Sequence, residues 1–383
     1  MSLLNIKYSE HIDGIREWKL SKVDINSQAM LVVGKNSTGK SRFLTIIRSL
    51  TQSISGLRTP GDGHFEASIK LQSGIFRYEL EVKNTVIQKE ILTLNKNLLL
   101  NRIIGQSTLL FFEKLETHVE SEFQDNVLAV ASRQDSAQHP WFVEFADWAK
   151  KTAYYNFSTG FTAERVLTIS DMLRSIKDDA NIVQQDRNDV IGTYLKAFKR
   201  FGESFDAAII SDIRALGFPI TEVGVKAAQE LIPELTLDIV MLFIKEEGVA
   251  SLIPQAFMSQ GLFRALALII SLNAQSFASN GNLVLIDDVG EGLDFERSSA
   301  LINMLMEKSE KHSIQILMTT NDRFIMNGVP IEQWCVLERE KSQVSAFTFT
   351  NHQTEFEEFK YSGLSNFDFF RSKAFSGALT NNE

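Results

Sequence analysis

One cysteine, Cys335, in 383 residues excludes an internal disulfide and fits a reducing, cytoplasmic setting. Positive charge is also short: the net charge is −9, so no whole-molecule basic field draws the chain to nucleic acid or anionic lipid, and any such contact must be a local patch. Long apolar runs are missing, since those near 236–244 and 265–272 are too short to span a bilayer, and "MSLLNIKYSEHID" is not a signal peptide. The six histidines are scattered without the spacing of a zinc site. The expectation is a soluble cytoplasmic protein without membrane contact. At 44% hydrophobic residues it can bury a large core, and its length suggests two or three subdomains.

What is present begins at residue 30. "MLVVGKNSTGKS" is a short buried-strand pattern running into Gly34, Lys35, Asn36, Ser37, Thr38, Gly39, Lys40 and Ser41, which fits G-x-x-x-x-G-K-[ST]. Glycines let the backbone approach phosphates, N–H groups converge on the anion, and the helix that follows from Ser41 and Arg42 starts with its positive end there. Lys40 is expected on the β- and γ-phosphates, and the Ser41 hydroxyl on Mg²⁺. Far downstream, "VLIDDVGEGLD" ends an apolar run in two aspartates. A buried parallel strand that delivers a carboxylate to its C-terminal edge has this form, which makes Asp287 the second Mg²⁺ partner and places Asp288 to orient the attacking water.

The chain divides by texture. Residues 1–113 carry strand patterns around the phosphate loop, several of them alternating as half-exposed antiparallel strands do. Residues 114–220 read as a helical insertion or lid, with Val166, Ile169, Met172 and Ile176 at helical spacing and only Pro140 and Pro219 as prolines. Strand and helix patterns return over 221–350, and 351–383 form an aromatic-rich tail. The tail's rings either fold back on the protein or dock a partner. Lys196, Lys199 and Arg200 are interleaved with aromatics, a pattern of a nucleic-acid patch that an ordinary amphipathic helix also shows.

The segment "FMSQGLFRALALIISLNA", Phe257 to Ala274, resembles the signature of ABC-type ATPases, with Ser259 and Gly261 in its two key positions. "DDVGEGLD" is similar to that family's Walker B aspartate, catalytic acid and D-loop, which ends at Asp294, and Asn321 falls where the switch histidine usually stands. Gly34 and Ser259 are 225 residues apart, too far for a transporter subunit, and the intervening stretch lacks sustained heptads. The nearest look is to compact, armless RecF/OLD-like, SMC-related ATPases of bacteria, some of them in anti-phage defence or toxin modules. This resemblance implies an α/β fold: a mixed sheet with flanking helices, an antiparallel β lobe and a helical lid. It also implies a homodimer that sandwiches ATP–Mg²⁺, with Ser259 and Gly261 of one subunit covering the other's nucleotide. Catalysis would fall to Asp288, Asn321 and Lys40, and the output would be control of a protein effector, with the tail as a candidate contact. Alternatives are an ATP-dependent scaffold with little hydrolysis and a RecF-type repair ATPase; no N-K-x-D motif supports a GTPase. For the glutamine that such ATPases place near the metal, Gln72 and Gln88 are both candidates. Asp288 replaces a usual glutamate and Asn321 a histidine, which implies slow turnover.

Overall fold

In the computed structural model the described residues are 1–177, 189–278 and 283–377. The first part holds β1 (Ser2–Glu10), β2 (Trp18–Asp24), β3 (Ala29–Val33) and α1 (Lys40–Ile54). A meander follows: β4 (Gly63–Lys70), β5 (Ile75–Lys83), β6 (Val86–Leu94), β7 (Asn97–Ile103), β8 (Thr108–Phe112) and β9 (Thr117–Ser121). Next come α2 (Ala129–Ser132), α3 (Pro140–Lys150), β10 (Ala153–Asn156), β11 (Leu167–Thr168), α4 (Ile169–Lys177), α5 (Val190–Phe201) and α6 (Glu203–Ala215). Then β12 (Ile220–Ala227), α7 (Ala228–Leu231), β13 (Ile239–Glu246) and β14 (Ile253–Pro254) precede α8 (Gln260–Phe277) and β15 (Leu283–Asp287). The rest comprises α9 (Phe295–His312), β16 (Gln315–Thr319), α10 (Arg323–Gly328), β17 (Trp334–Glu340), β18 (Gln343–Thr348), α11 (Gln353–Lys360) and α12 (Asn366–Arg371).

One sheet runs β10-β15-β16-β3-β17-β18-β2-β1-β4-β5-β6-β7-β8-β9. The strands from β10 to β17 are parallel, whereas β2, β1 and β4 to β9 pair antiparallel. The parallel strands are apolar on both faces because successive side chains point to opposite sides. Leu31 and Val33 of β3, Val284 and Ile286 of β15, and Ile316 and Met318 of β16 join one core. Their neighbours Met30, Val32, Leu283, Leu285 and Leu317 join another. α1 and α3 cover the second face, while α8 and α9 cover the first.

The range 114–220 is mixed rather than helical throughout. β9 extends the meander, β10 is an edge strand of the main sheet, and β11 pairs with β13 in a second antiparallel sheet of β11 to β14. Alternation over these short strands is brief, and pairing with β8, β15 and β13, distant in sequence or following it, decides their state. Helices α5 and α6 pack on α8 and share its core through Tyr194, Phe205, Ile209 and Ile213. A polar link reinforces the junction: Lys308 Nζ lies 2.8 Å from Asp212 Oδ2 and donates to Asn273 Oδ1 at 3.0 Å. In α4, Ile169 and Met172 pack toward this core, and the side chain of Ile176 lies outside the described residues. Lys199 and Arg200 are exposed and Lys196 is half-buried, while Tyr194 and Ala197 form the buried stripe of α5.

The tail folds back. Phe356, Phe359, Phe369 and Phe375 are buried in the core that holds Trp334, leaving Tyr361 and Leu364 exposed; residues 378–383 lie outside the described residues.

Glu90 anchors the meander from within. Fully buried, it accepts hydrogen bonds from the N–H groups of Ala129 (2.9 Å) and Val130 (3.2 Å) and from Tyr78 Oη (3.2 Å), with Arg102 Nη1 at 3.5 Å. Burial raises its proton affinity, and the N–H donors and Arg102 oppose this. Removing one member of a buried pair strands the other, so Glu90→Ala is expected to lower the unfolding free energy by about 3 kcal/mol. Urea denaturation of the two proteins checks it, and a change under about 1 kcal/mol would show that Arg102 finds solvent instead.

Candidate active site

The five parallel strands end at one edge of the sheet, so the segments after β3, β15, β16 and β10 meet there. After the buried β3 the chain turns through 34–39 into α1. Gly34 is tightly enclosed: a Cβ there would stand 2.6 Å from Thr38 Oγ1 and 2.7 Å from the Leu337 carbonyl oxygen. Gly39 has φ +105°, a left-handed conformation that glycine adopts without strain. The turn is tied by Thr38, whose N–H (3.2 Å) and Oγ1 (2.8 Å) both donate to the Lys35 carbonyl. Lys40 is buried at the start of α1, and its Nζ donates to the Gly34 carbonyl at 2.8 Å. Burial lowers its proton affinity, opposed by Asp288 and Asp287. No acid sits in the first turn of α1, so its positive end stays uncompensated. Lys35, Asn36, Ser37, Ser41 and Arg42 are exposed around this opening.

Beside the loop lies a cavity of about 460 Å³ lined by Glu10, Arg16, Trp18, Arg42 and Arg339, among others. The Arg42 guanidinium stacks 4.3 Å over the Trp18 ring and pairs with Glu10, and Arg339 donates to the Ser37 carbonyl at 3.3 Å. The Trp18 indole N–H is buried with no hydrogen-bond partner among the described residues.

Asp287 closes β15, buried, two strands from the loop. Between them β16 supplies Thr319, whose Oγ1 donates to Asp287 Oδ1 at 2.6 Å and accepts from the Asp288 N–H at 2.9 Å. Tyr154 of β10 donates to Asp287 Oδ2 at 3.3 Å. Asp288 has φ +54°, a left-handed bend that the Thr319 contact holds. Its carboxylate accepts from Ser158 Oγ at 3.5 Å. Burial, then the neighbouring Asp287, raises the Asp288 proton affinity, and Lys40 pulls it down.

Ser259 is the exposed N-cap of α8, its Oγ accepting from the Leu262 N–H at 3.3 Å. Gly261 packs on the 290–294 loop so closely that a Cβ would stand 2.6 Å from the Gly292 carbonyl oxygen. Asp294 caps α9, accepting from the Arg297 N–H at 2.9 Å, and this bond holds its carboxyl below the usual range. Among the described residues no hydrogen bond joins Ser259 or Gly261 to residues 34–41. Asn321 is exposed just beyond β16.

Thr319, Tyr154 and Ser158 were not picked out by sequence reasoning. The first is visible in "MTTND", but the others come from the 114–220 range, and only the pairing of β10 with β15 brings them to the acids. That register sets Asn156 opposite Asp287. Gln72 lies at the β4–β5 turn, its N–H bound to Glu144, and Gln88 lies in β6; both belong to the meander.

Among the described residues no helix is long and apolar enough to cross a membrane, and no three His, Cys, Asp or Glu side chains form a metal-binding group. No curated protein matches the sequence. Solved structures do show the fold. One is the crystal structure of an SMC head bound to the C-winged helix domain of ScpA, with TM-score 0.51 and 12% identity over 90% of this chain and 97% of that one. Another is the SMC head domain with an extended coiled coil bound to the C-terminal domain of ScpA, derived from Pyrococcus furiosus, with TM-score 0.51 and 10% identity over 94% and 99%. The protein thus has the ABC-type ATPase fold of SMC heads. Residues 29–327, from the first residue of β3 into α10, match the family described as "AAA domain, putative AbiEii toxin, Type IV TA system", and the chain belongs to that family.

Proposed function

We propose that this protein binds ATP with Mg²⁺ at the carboxyl edge of its parallel strands, closes into a homodimer around it, hydrolyses it slowly, and so switches a partner effector. The observation that carries this reading is the Thr319 hydroxyl, which ties Asp287 and Asp288 together beside a phosphate-type loop. In this reading the loop amides and the Lys40 ammonium take the phosphates, and the Trp18–Arg42 cavity takes the base. The Ser41 hydroxyl and the Asp287 carboxylate form an all-oxygen donor set that suits Mg²⁺, and Asp287 keeps lone pairs beyond its two hydrogen bonds. When bound, that ion neutralises charge on the phosphate oxygens.

Asp288 is the candidate base for the attacking water. Its raised proton affinity strengthens it as a base, and Ser158 and the Thr319-held bend fix its direction. Aspartate nevertheless reaches one methylene less than the glutamate usual in such ATPases, and Asn321 cannot carry a proton. Each replacement costs about 1.4 to 3 kcal/mol of transition-state stabilisation, a loss of about tenfold or more. The same features favour a second reading, an ATP-held scaffold with little turnover. Ser259 and Gly261 are exposed or half-exposed and unbonded to their own loop, which suits a site completed by a second copy. The family's description names a toxin of a type IV TA system, and effector control in such a module, with an anti-phage role, extends from it.

Lys40→Ala is expected to weaken ATP binding about tenfold to a hundredfold, the worth of a charge-assisted contact, by fluorescent-nucleotide titration. Unchanged affinity would refute the phosphate site.

Asp288→Asn should abolish turnover while preserving ATP binding, and it should raise Tm at neutral pH. The sign follows from linkage: a folded carboxyl with raised pKa binds protons more tightly than the unfolded one, so wild-type stability falls as pH rises through that interval, and the asparagine removes this loss. The gain in Tm should vanish in acid below the carboxyl range. Unaltered turnover would assign the base elsewhere.

Gly261→Ala should push the Gly292 backbone aside and abolish ATP-dependent dimerisation while leaving ATP binding to the monomer. Sedimentation with and without ATP reads it, and an intact dimer would remove α8 from the interface.

A further inference from the structure

At the far end of the sheet from the nucleotide edge, a cavity of about 610 Å³ opens between the β7–β8 surface and α3. Its walls are mainly apolar and aromatic, with Leu98, Phe111 and Trp141 prominent and Glu113 and Glu144 at hand. The rings are organised: Phe111 lies 5.6 Å from Trp141 and meets His118 edge-on at 5.3 Å. His118 is pinned by a 3.1 Å contact between Nε2 and the Leu98 carbonyl oxygen. Trp141 is only 6% exposed, and its indole N–H has no partner among the described residues.

His118 also belongs to β9, the last strand of the sheet, which among the described residues pairs only with β8. The cavity therefore continues into an open backbone edge. That edge is acidic: residues 113–125 hold Glu113, Glu116, Glu120, Glu122 and Asp125 against one cation, Lys114. Glu116, Glu120, Glu122 and Asp125 are exposed, as is Leu115 at 63%. Charged edges discourage like edges from pairing, because two copies of β9 side by side would set carboxylates against carboxylates. A basic strand meets the opposite situation.

We propose that β9 and the Leu98–Phe111–Trp141 cavity form a docking site for an extended, lysine- or arginine-rich segment of a partner protein that adds as a strand and seats one aromatic or branched apolar side chain in the cavity. Backbone pairing supplies affinity in this mode, the cavity selects the side chain, and the carboxylates select the charge. The site supplies the effector surface of the proposed switch and rests on that reading only for its biological use. It lies between the meander and α3, away from Lys40, Asp287 and Ser259, so the two are separable.

The probe is a fluorescently labelled synthetic peptide of alternating lysine and phenylalanine, titrated against the full chain by anisotropy, beside a version with glutamate for lysine. Saturable one-to-one binding of the lysine peptide is expected, weakened by salt, with no binding of the glutamate peptide. Leu98→Glu, which puts a charge into the cavity, and the pair Glu120→Lys with Glu122→Lys, which reverses the edge, are each expected to lower affinity about tenfold or more. ATP affinity and Tm are measured on the same samples. Both should stay at wild-type values, and the exposed edge pair decides the matter if Leu98→Glu does not fold. Equal binding of either peptide, no binding of the lysine peptide, or equal affinity for the edge variant would overturn the proposal. So would a nucleotide-independent self-dimer that Leu98→Glu dissolves, since a second copy would then be the occupant. Loss of ATP binding in Lys40→Ala with retained peptide binding would uphold this site whatever becomes of the switch.

Discussion

Two-sided burial of the parallel strands is the constraint on which the molecule turns. A strand apolar on both faces must be covered twice, and the side chains of β3, β15 and β16 feed two cores that never share a residue. Polar groups are then excluded from the strand interiors and can appear only where the strands stop. The 34–39 loop, the acid pair, Thr319 and Ser158 are all at such ends. The site is thus a consequence of how the core closes.

Within that edge, two adjacent carboxylates have to coexist. Asp287 is buried and held by two hydroxyl donors, whereas Asp288 is half-buried, bent into the left-handed region and more basic than an ordinary aspartate. Thr319 solves the problem with one oxygen, donating to the first acid and accepting from the amide of the second. In the proposed reading Asp287 faces the metal and Asp288 the water, and burial makes Asp288 a stronger base than an ordinary aspartate.

The insertion is bound into this arrangement instead of hanging from it. Its β10 supplies Tyr154 and the turn after β10 supplies Ser158 to the acids, and its α5 and α6 share a core with α8, which Ser259 caps and whose first turn carries Gly261. The 114–220 range therefore touches the carboxyl edge of the parallel strands by two physical routes. The Gly261–Gly292 contact provides another link, because two glycines in van der Waals touch leave no slack between α8 and the loop after β15.

By itself the sequence determined the elements whose signals are local. The turn at 34–39 follows from glycine spacing, Asp287 from an apolar run ending in acid, and α8 and α9 from helix-length patterns between strand signals, which Ser259 and Asp294 cap in the structure. Other features only the tertiary structure decided. The two-residue β11 and four-residue β10 are too short to show a period, and their state depends on β13 and β15. Tyr154 and Ser158 lie some 130 residues from the aspartates they touch, at separations of 133 and 130, and no local pattern encodes such a meeting. Whether the tail's rings would face inward or outward was likewise open, because an aromatic cluster has the same composition either way. In the folded chain Phe356, Phe359, Phe369 and Phe375 share the core of Trp334, and burying rings there removes apolar surface from water on both sides of the contact.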